Sequence, residues 1–123
     1  MRTKILATLD ALDGALEFIR NEAQTVISSP EHLSQVELAC EEALVNIIRH
    51  GYRNTPGPIE IECKKEPAHA CEISISDWSE AYNPLAAPYE EGHRGIALMK
   101  SLVDKIEYTR DGSKNILTLH KEA

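Results

Sequence analysis

Two polar side chains four residues apart offer the clearest chemistry in the chain. Glu42 and Asn46 lie in the run Leu38-Ala-Cys-Glu-Glu-Ala-Leu-Val-Asn-Ile-Ile-Arg-His-Gly-Tyr52. At 3.6 residues per turn, a spacing of four stacks them on one helix face. A carboxylate there is a candidate general base. A carboxamide oxygen is a candidate ligand for a hard cation. The neighbouring stripe of Val36, Cys40, Ala43, Leu44 and Ile47 is apolar and predicts burial against a core. The bland alternative is an ordinary solvated helix face.

Two later signals join this pair. In residues 70–77, Cys71, Ile73 and Ile75 alternate as the apolar face of a strand, and Asp77 continues that inward register. A buried carboxylate is costly without a donor, so Asp77 requires a partner in the protein or in a ligand, unless it has already turned out into the following loop. Further on, Gly92-His93-Arg94-Gly95 leads into Ile96, Leu98, Met99, Leu102 and Val103. A glycine-flanked turn opening a helix presents free amides and a positive dipole end, which suits a phosphate, although many ordinary helices start this way.

The elements that must position these groups follow from periodicity. Residues 3–9 read as a strand and 11–28 as an amphipathic helix, with Asp10 as its cap. Ser29 before Pro30 starts a second helix running from about 30 to 50. Strands at 59–65 and 70–77 form a hairpin across the turn at 66–69. A polar loop at 78–92 is long enough to suggest function. Strands at about 104–110 and 115–121 flank Asp111-Gly112, a hairpin turn. The expected architecture is α+β: a two-layer sandwich with helices on one face of a mostly antiparallel, mixed sheet, built as one domain over residues 1–123.

Composition narrows the class. A length of 123 residues allows one core, and 42% hydrophobic with 27% charged residues argues for a globular domain. A net charge of −7 without a basic patch disfavours nucleic acid and anionic membranes. Residues 1–12, interrupted by Arg2, Lys4 and Asp10, do not read as a signal peptide, and no apolar run approaches transmembrane length. Cys40, Cys63 and Cys71 fit neither a disulfide framework nor a zinc site, and each sits at an apolar position. A reducing cytoplasm is the expected location.

The order of the signals carries more than any one of them. A helix with Glu-x-x-x-Asn, a strand ending in Asp, a loop, and a glycine-rich turn into a helix resemble the ATP-binding domain shared by gyrase, Hsp90, histidine kinases and MutL, the Bergerat or GHKL fold. Glu42-Ala-Leu-Val-Asn46-Ile-Ile-Arg-His50-Gly51-Tyr52 is similar to the first box of the anti-sigma-factor serine kinases of bacterial partner switching. Asp77-x-Ser79-x-x-Tyr82-Asn83-Pro84 and Gly92-x-Arg94-Gly95-Ile96-x-Leu98-Met99 resemble the second and third. The resemblance covers nearly the whole chain.

This resemblance implies ATP and Mg²⁺ as cofactors. Asp77 would accept from the adenine amino group, Asn46 would hold Mg²⁺, and Glu42 would take the proton from an acceptor serine. Ser79, Gly92, Arg94 and Gly95 would line the nucleotide, and Thr118 matches a late strand residue near adenine. His50 has no implied chemical role. The implied substrate is a STAS-type anti-sigma antagonist, the second partner a sigma factor, and homodimers are frequent among such kinases. Three departures stand in the second box: Ser79 replaces the usual glycine, Trp78 is bulky, and Asn83 replaces aspartate. They leave a second reading, a domain of this fold that binds partners without phosphorylating them. A metabolic or DNA-repair ATPase of the same superfamily is a third and would normally carry further domains.

Overall fold

The computed structural model describes residues 1–52, 55–66, 69–80 and 94–123. Five strands are described: β1 (Arg2–Leu6), β2 (Pro58–Glu66), β3 (Ala70–Asp77), β4 (Lys105–Asp111) and β5 (Lys114–Glu122). They form a sheet in the order β1-β2-β3-β5-β4. All four pairings among the described residues are antiparallel, where the sequence reading had a mostly antiparallel, mixed sheet. Three α-helices, α1 (Leu12–Ala23), α2 (Pro30–Asn46) and α3 (Arg94–Leu102), pack on one face.

Strand parity decides which side chains meet the helices. In β2, Ile59, Ile61 and Cys63 face inward. Opposite Ile61 and Cys63 lie Ile75 and Ile73 of β3, with Cys71 next on the same face, and opposite Ile75 and Ile73 lie Leu117 and Leu119 of β5. These join Ile19, Val36, Cys40, Leu44 and Met99 from the helices in one core. Each fully buried isoleucine or leucine there contributes about 1.5–3 kcal/mol. The opposite face carries Glu60, Glu62, Ser74, Thr118, Glu107 and His120, and no described element covers it. Charge on one side and β-branched residues on the other is the alternation that makes a one-sided sheet.

Helix α2 begins where its capping residues predict. The Ser29 side chain accepts from the His32 backbone N–H at 3.2 Å, with Pro30 at the first helical position. Its far end differs from a plain α-helix. Ile47–Gly51 is a π-helical turn, closed by the Tyr52 N–H on the Ile47 carbonyl at 3.0 Å. Such turns recur at functional sites because they shift the side chains that follow. Tyr52 is anchored in turn, its hydroxyl donating to the Pro58 carbonyl at 2.6 Å and accepting from the Trp78 N–H at 2.9 Å. Gly57 lets the chain pass this ring, since a Cβ there would come within 2.2 Å of it.

Some boundaries and one cap are corrected. β1 ends at Leu6 rather than residue 9, and a 3₁₀ turn, Leu9–Ala11, precedes α1. Asp10 lies inside that turn and caps nothing. α1 stops at Ala23 instead of 28, where the Thr25 and Val26 N–H groups bond three residues back, to the Glu22 and Ala23 carbonyls, in place of the α-helical four. The Asp111-Gly112 turn is as expected, with Gly112 at φ 61°, a left-handed conformation glycine adopts at little cost.

Candidate functional site

The carboxyl end of β3, the last turns of α2, α3 and the β4–β5 hairpin enclose a hollow of about 400 Å³ including its open mouth. Ala43, Asn46, Ile47 and Gly51 form one wall, and Met99 and Tyr108 contribute to another. Asp77, Ser79, Asn115 and Leu117 complete the lining. Three residues singled out in sequence therefore meet here: Asn46 from α2, and Asp77 and Ser79 from the end of β3. The hollow is chiefly apolar, with a few convergent polar groups, the usual make-up of a small-molecule site.

Asp77 is 5% exposed, so the inward register read from the sequence holds. Its donors all converge on one oxygen. Oδ1 accepts from Asn115 Nδ2 at 3.0 Å, from the Ser79 backbone N–H at 3.0 Å and from the Ser79 hydroxyl at 2.5 Å. Among the described residues, Oδ2 receives no hydrogen bond. A buried carboxylate lining a hollow with one oxygen unspent is an acceptor waiting for a donor.

Asn115 is the site residue that sequence reasoning missed. It stands directly opposite Asp77 in the β3–β5 register and is 4% exposed. Its Oδ1 accepts from the Tyr108 hydroxyl and from Arg110 Nη1 at 2.9 Å, which turns Nδ2 toward Asp77 and the Glu80 carbonyl at 3.0 Å. Arg110 also donates to the Ser79 carbonyl at 3.0 Å and to the Gly112 carbonyl at 2.9 Å, tying the hairpin to the segment after β3. The available signal was parity. Asn115 shares the inward register of Leu117 and Leu119, the same argument that singled out Asp77.

Thr118 is corrected by that parity. An even position in β5 faces the open side of the sheet, and its hydroxyl lies 3.3 Å from that of Ser74. It lines a shallow surface groove with Glu72, Lys105, Glu107 and His120, across the sheet from Asp77. Glu42 sits one turn before Asn46 on α2, half-buried. Among the described residues neither Glu42 nor Asn46 makes a hydrogen bond or ion pair, so both polar ends are unspent. Arg94 and Gly95 form the first turn of α3, whose Met99 lines the hollow. Gly92, Tyr82, Asn83 and Pro84 lie outside the described residues.

Trp78 does not crowd the hollow. It alternates to the open face, where Lys4 and Lys114 approach its ring at 5.4 and 5.6 Å from the centroid. The serine at position 79 is accommodated by Gly51, since a Cβ on Gly51 would stand 3.0 Å from the Ser79 hydroxyl. Burial raises the Tyr52 phenol, with nearby Asp77 acting in the same direction and the Trp78 N–H opposing. The three cysteines are buried and free, as the sequence implied. Burial, reinforced by the neighbouring Cys71 thiol and Glu22 carboxylate, pushes Cys63 up to about 12, and burial pushes Cys71 up to about 11. Such thiols are inert hydrophobes rather than nucleophiles.

Comparison with known proteins matches residues 5–121 to the family model described as histidine kinase-like ATPase domain. A search of curated proteins found no match. Among solved structures, one similar fold is the RsbU and RsbW domains of Rv1364c from Mycobacterium tuberculosis. It superposes with a TM-score of 0.68 at 17% identity, over 98% of this chain and 32% of that one. A second is the histidine kinase domain of the blue-light activated histidine kinase EL346 from Erythrobacter litoralis, with a TM-score of 0.58 at 17% identity, over 74% of this chain and 44% of that one. The chain thus spans less than half the length of either structure. Among the described residues, no helix is long and apolar enough to cross a membrane.

Proposed function

Since the chain belongs to the histidine kinase-like ATPase domain family, we propose that it binds Mg-ATP in the hollow beneath α2 and passes the γ-phosphoryl group to a serine of a STAS-type antagonist protein. On this reading it also holds a sigma factor, and the nucleotide state and the antagonist's phosphorylation switch which partner is bound. The supporting observation is Asp77, a buried carboxylate whose Oδ2 is open to a donor inside an apolar hollow. An adenine amino group supplies that donor. Asn46 lines the same hollow and offers an oxygen to Mg²⁺. Among the described residues there is no cluster of three acidic, histidine or cysteine side chains able to hold a metal. That donor set suits a cation carried in mainly by phosphates and water.

Bound Mg-ATP would supply the phosphoryl group and its charge compensation. The chain's own contribution is orientation and one proton transfer. As the serine oxygen bonds to the γ-phosphorus and the bond to the ADP oxygen breaks, the serine proton passes to the Glu42 carboxylate. Glu42 is free to receive it, having no described partner. A second reading is a domain that holds partners without phosphorylating them. It is favoured by the Ser79 hydroxyl, which donates to Asp77 at a position where the resemblance implies glycine.

Calorimetric titration with Mg-ATP, followed by phosphate transfer to a STAS-domain protein, separates the two. Glu42→Ala is expected to bind ATP within about threefold of the parent and to lose at least about a hundredfold in transfer rate, the ordinary size of general-base catalysis. Asn46→Ala is expected to lose the Mg²⁺ dependence of binding. Equal loss of binding and transfer in Glu42→Ala would refute its role as base. Binding without transfer in the parent protein would favour the partner-holding reading.

A further inference from the structure

The face of the sheet turned away from the helices holds the chain's only tryptophan. Trp78 stands there at the end of β3, partly exposed, and Leu6, Pro58 and Ile116 share that end of the face, Leu6 being 59% exposed. We infer that this end of the open face docks a partner protein through a helix that presents two carboxylates on either side of an apolar side chain.

Charge identifies the partner's chemistry. Lys4 on β1 and Lys114 on β5 bring their ammonium groups to 5.4 and 5.6 Å from the centre of the Trp78 ring. In the sheet order β3 lies between those two strands, so the cations reach the ring from its two sides. Among the described residues neither ammonium has an ion pair, although the chain carries a net charge of −7. The other lysines of this face behave differently: Lys64 pairs with Glu62 at 3.6 Å and Lys105 with Glu107 at 2.9 Å. Glu60, directly opposite Lys4, is engaged by Arg2 at 3.7 Å. An aromatic ring attracts an ammonium without neutralising it. Both positive charges therefore remain to be compensated from outside the chain.

The apolar centre is held in place before a partner arrives. The Trp78 N–H donates to the Tyr52 hydroxyl at 2.9 Å, and that hydroxyl donates to the Pro58 carbonyl at 2.6 Å. A tryptophan on a fixed backbone is the residue type that dominates binding energy at interfaces, and fixing it beforehand lowers the ordering cost of association. Carboxylates at the other end of the face, Glu62, Glu72 and Glu107, repel an anionic segment and confine it to the Trp78 end. Two carboxylates two helical turns apart, about 10.5 Å, span both ammonium groups. The side chain midway between them, at i+3 or i+4, lies on the same helix face and falls on the ring.

The test is fluorescence anisotropy of a fluorescein-labelled, alanine-rich helical peptide with Glu at i and i+7 and Leu at i+3 and i+4, titrated with the intact protein. A second peptide with Lys in place of both Glu residues is the control. The expected result is saturable binding of the acidic peptide that weakens with added salt, a parallel change in Trp78 emission, and no binding of the basic peptide. Lys4→Glu and Lys114→Glu should each weaken the acidic peptide by about fivefold or more, the upper range for one exposed ion pair. The double reversal should bind the basic peptide instead. Trp78→Ala should lose about thirtyfold, the scale of an interface hot spot. The two charge reversals lie at the surface and decide the matter if Trp78→Ala fails to fold. Failure of the acidic peptide to bind, equal binding of both peptides, or unchanged affinity in the charge variants would overturn the inference and leave the nucleotide reading untouched.

Discussion

Replacing Asp77 by asparagine should invert the donor pattern of the hollow, and the structure says which way the new amide will face. Three donors converge on Oδ1: the Ser79 N–H, the Ser79 hydroxyl and Asn115 Nδ2. An amide nitrogen placed there would oppose all three, so the amide oxygen of Asp77→Asn takes the Oδ1 position. The NH₂ group is then forced to the Oδ2 side, toward the hollow. An acceptor for an adenine amino group becomes a donor facing a donor. A hydrogen bond to an ionised group contributes about 1.5–3 kcal/mol, and every 1.4 kcal/mol is about tenfold in Kd. ATP binding should therefore weaken by about 10- to 150-fold. ITP carries a 6-oxo acceptor in place of the amino group, so its affinity relative to ATP should rise. The fold should survive, because the three bonds persist as neutral ones and the buried negative charge is gone. The assay is calorimetry with ATP and ITP, with thermal unfolding as the fold control. Trp78 is a poor reporter because its ring lies on the open face between Lys4 and Lys114. A folded Asp77→Asn protein that binds ATP within threefold of the parent would refute the reasoning, as would an unchanged ATP-to-ITP ratio.

Two further predictions concern stability. Lys121 is 9% exposed, and its ammonium donates to Gln35 Oε1 and to the Leu102 carbonyl, both at 2.8 Å, stitching β5 to α2 and to the end of α3. Lys121→Ala leaves both acceptors unbonded and empties the space of the alkyl stem. It should cost about 2–4 kcal/mol in urea unfolding, and an unchanged midpoint would show that the stitch contributes nothing. The buried thiols make stability depend on alkaline pH. Their folded values lie above the ordinary 9.0, so the unfolded chain loses these protons first as pH rises. Their contribution is complete below pH 9 and is lost as pH climbs toward 11–12. Comparing the parent with Cys63→Val between pH 8 and 11 isolates this slope, and identical pH profiles would contradict it.

Much of this protein is legible one segment at a time. Alternation in β2 and β3 marks the inward residues because a side-chain period of two separates the two faces of any strand. The Ser29-Pro30 cap and the stripe from Val36 to Leu44 define α2 by local rules alone. The same parity reached Asp77, and applied evenly it would have reached Asn115 and rejected Thr118. The antiparallel character of every pairing was less accessible, since strand order depends on which edges meet.

What tertiary structure alone decided is how the polar groups are spent. Asp77 and Asn115 are 38 residues apart, and only the pairing of β3 with β5 sets them face to face. Periodicity reports which face a side chain occupies and is silent on which partner stands opposite. The π turn at Ile47–Gly51 likewise depends on Tyr52 being anchored between Pro58 and Trp78. Sequence patterns record the apolar burial that drives the chain together, because that force is additive and without direction. Hydrogen bonds are directional and join distant segments, so their final allocation, including the convergence of three donors on one oxygen of Asp77, exists only in the folded molecule.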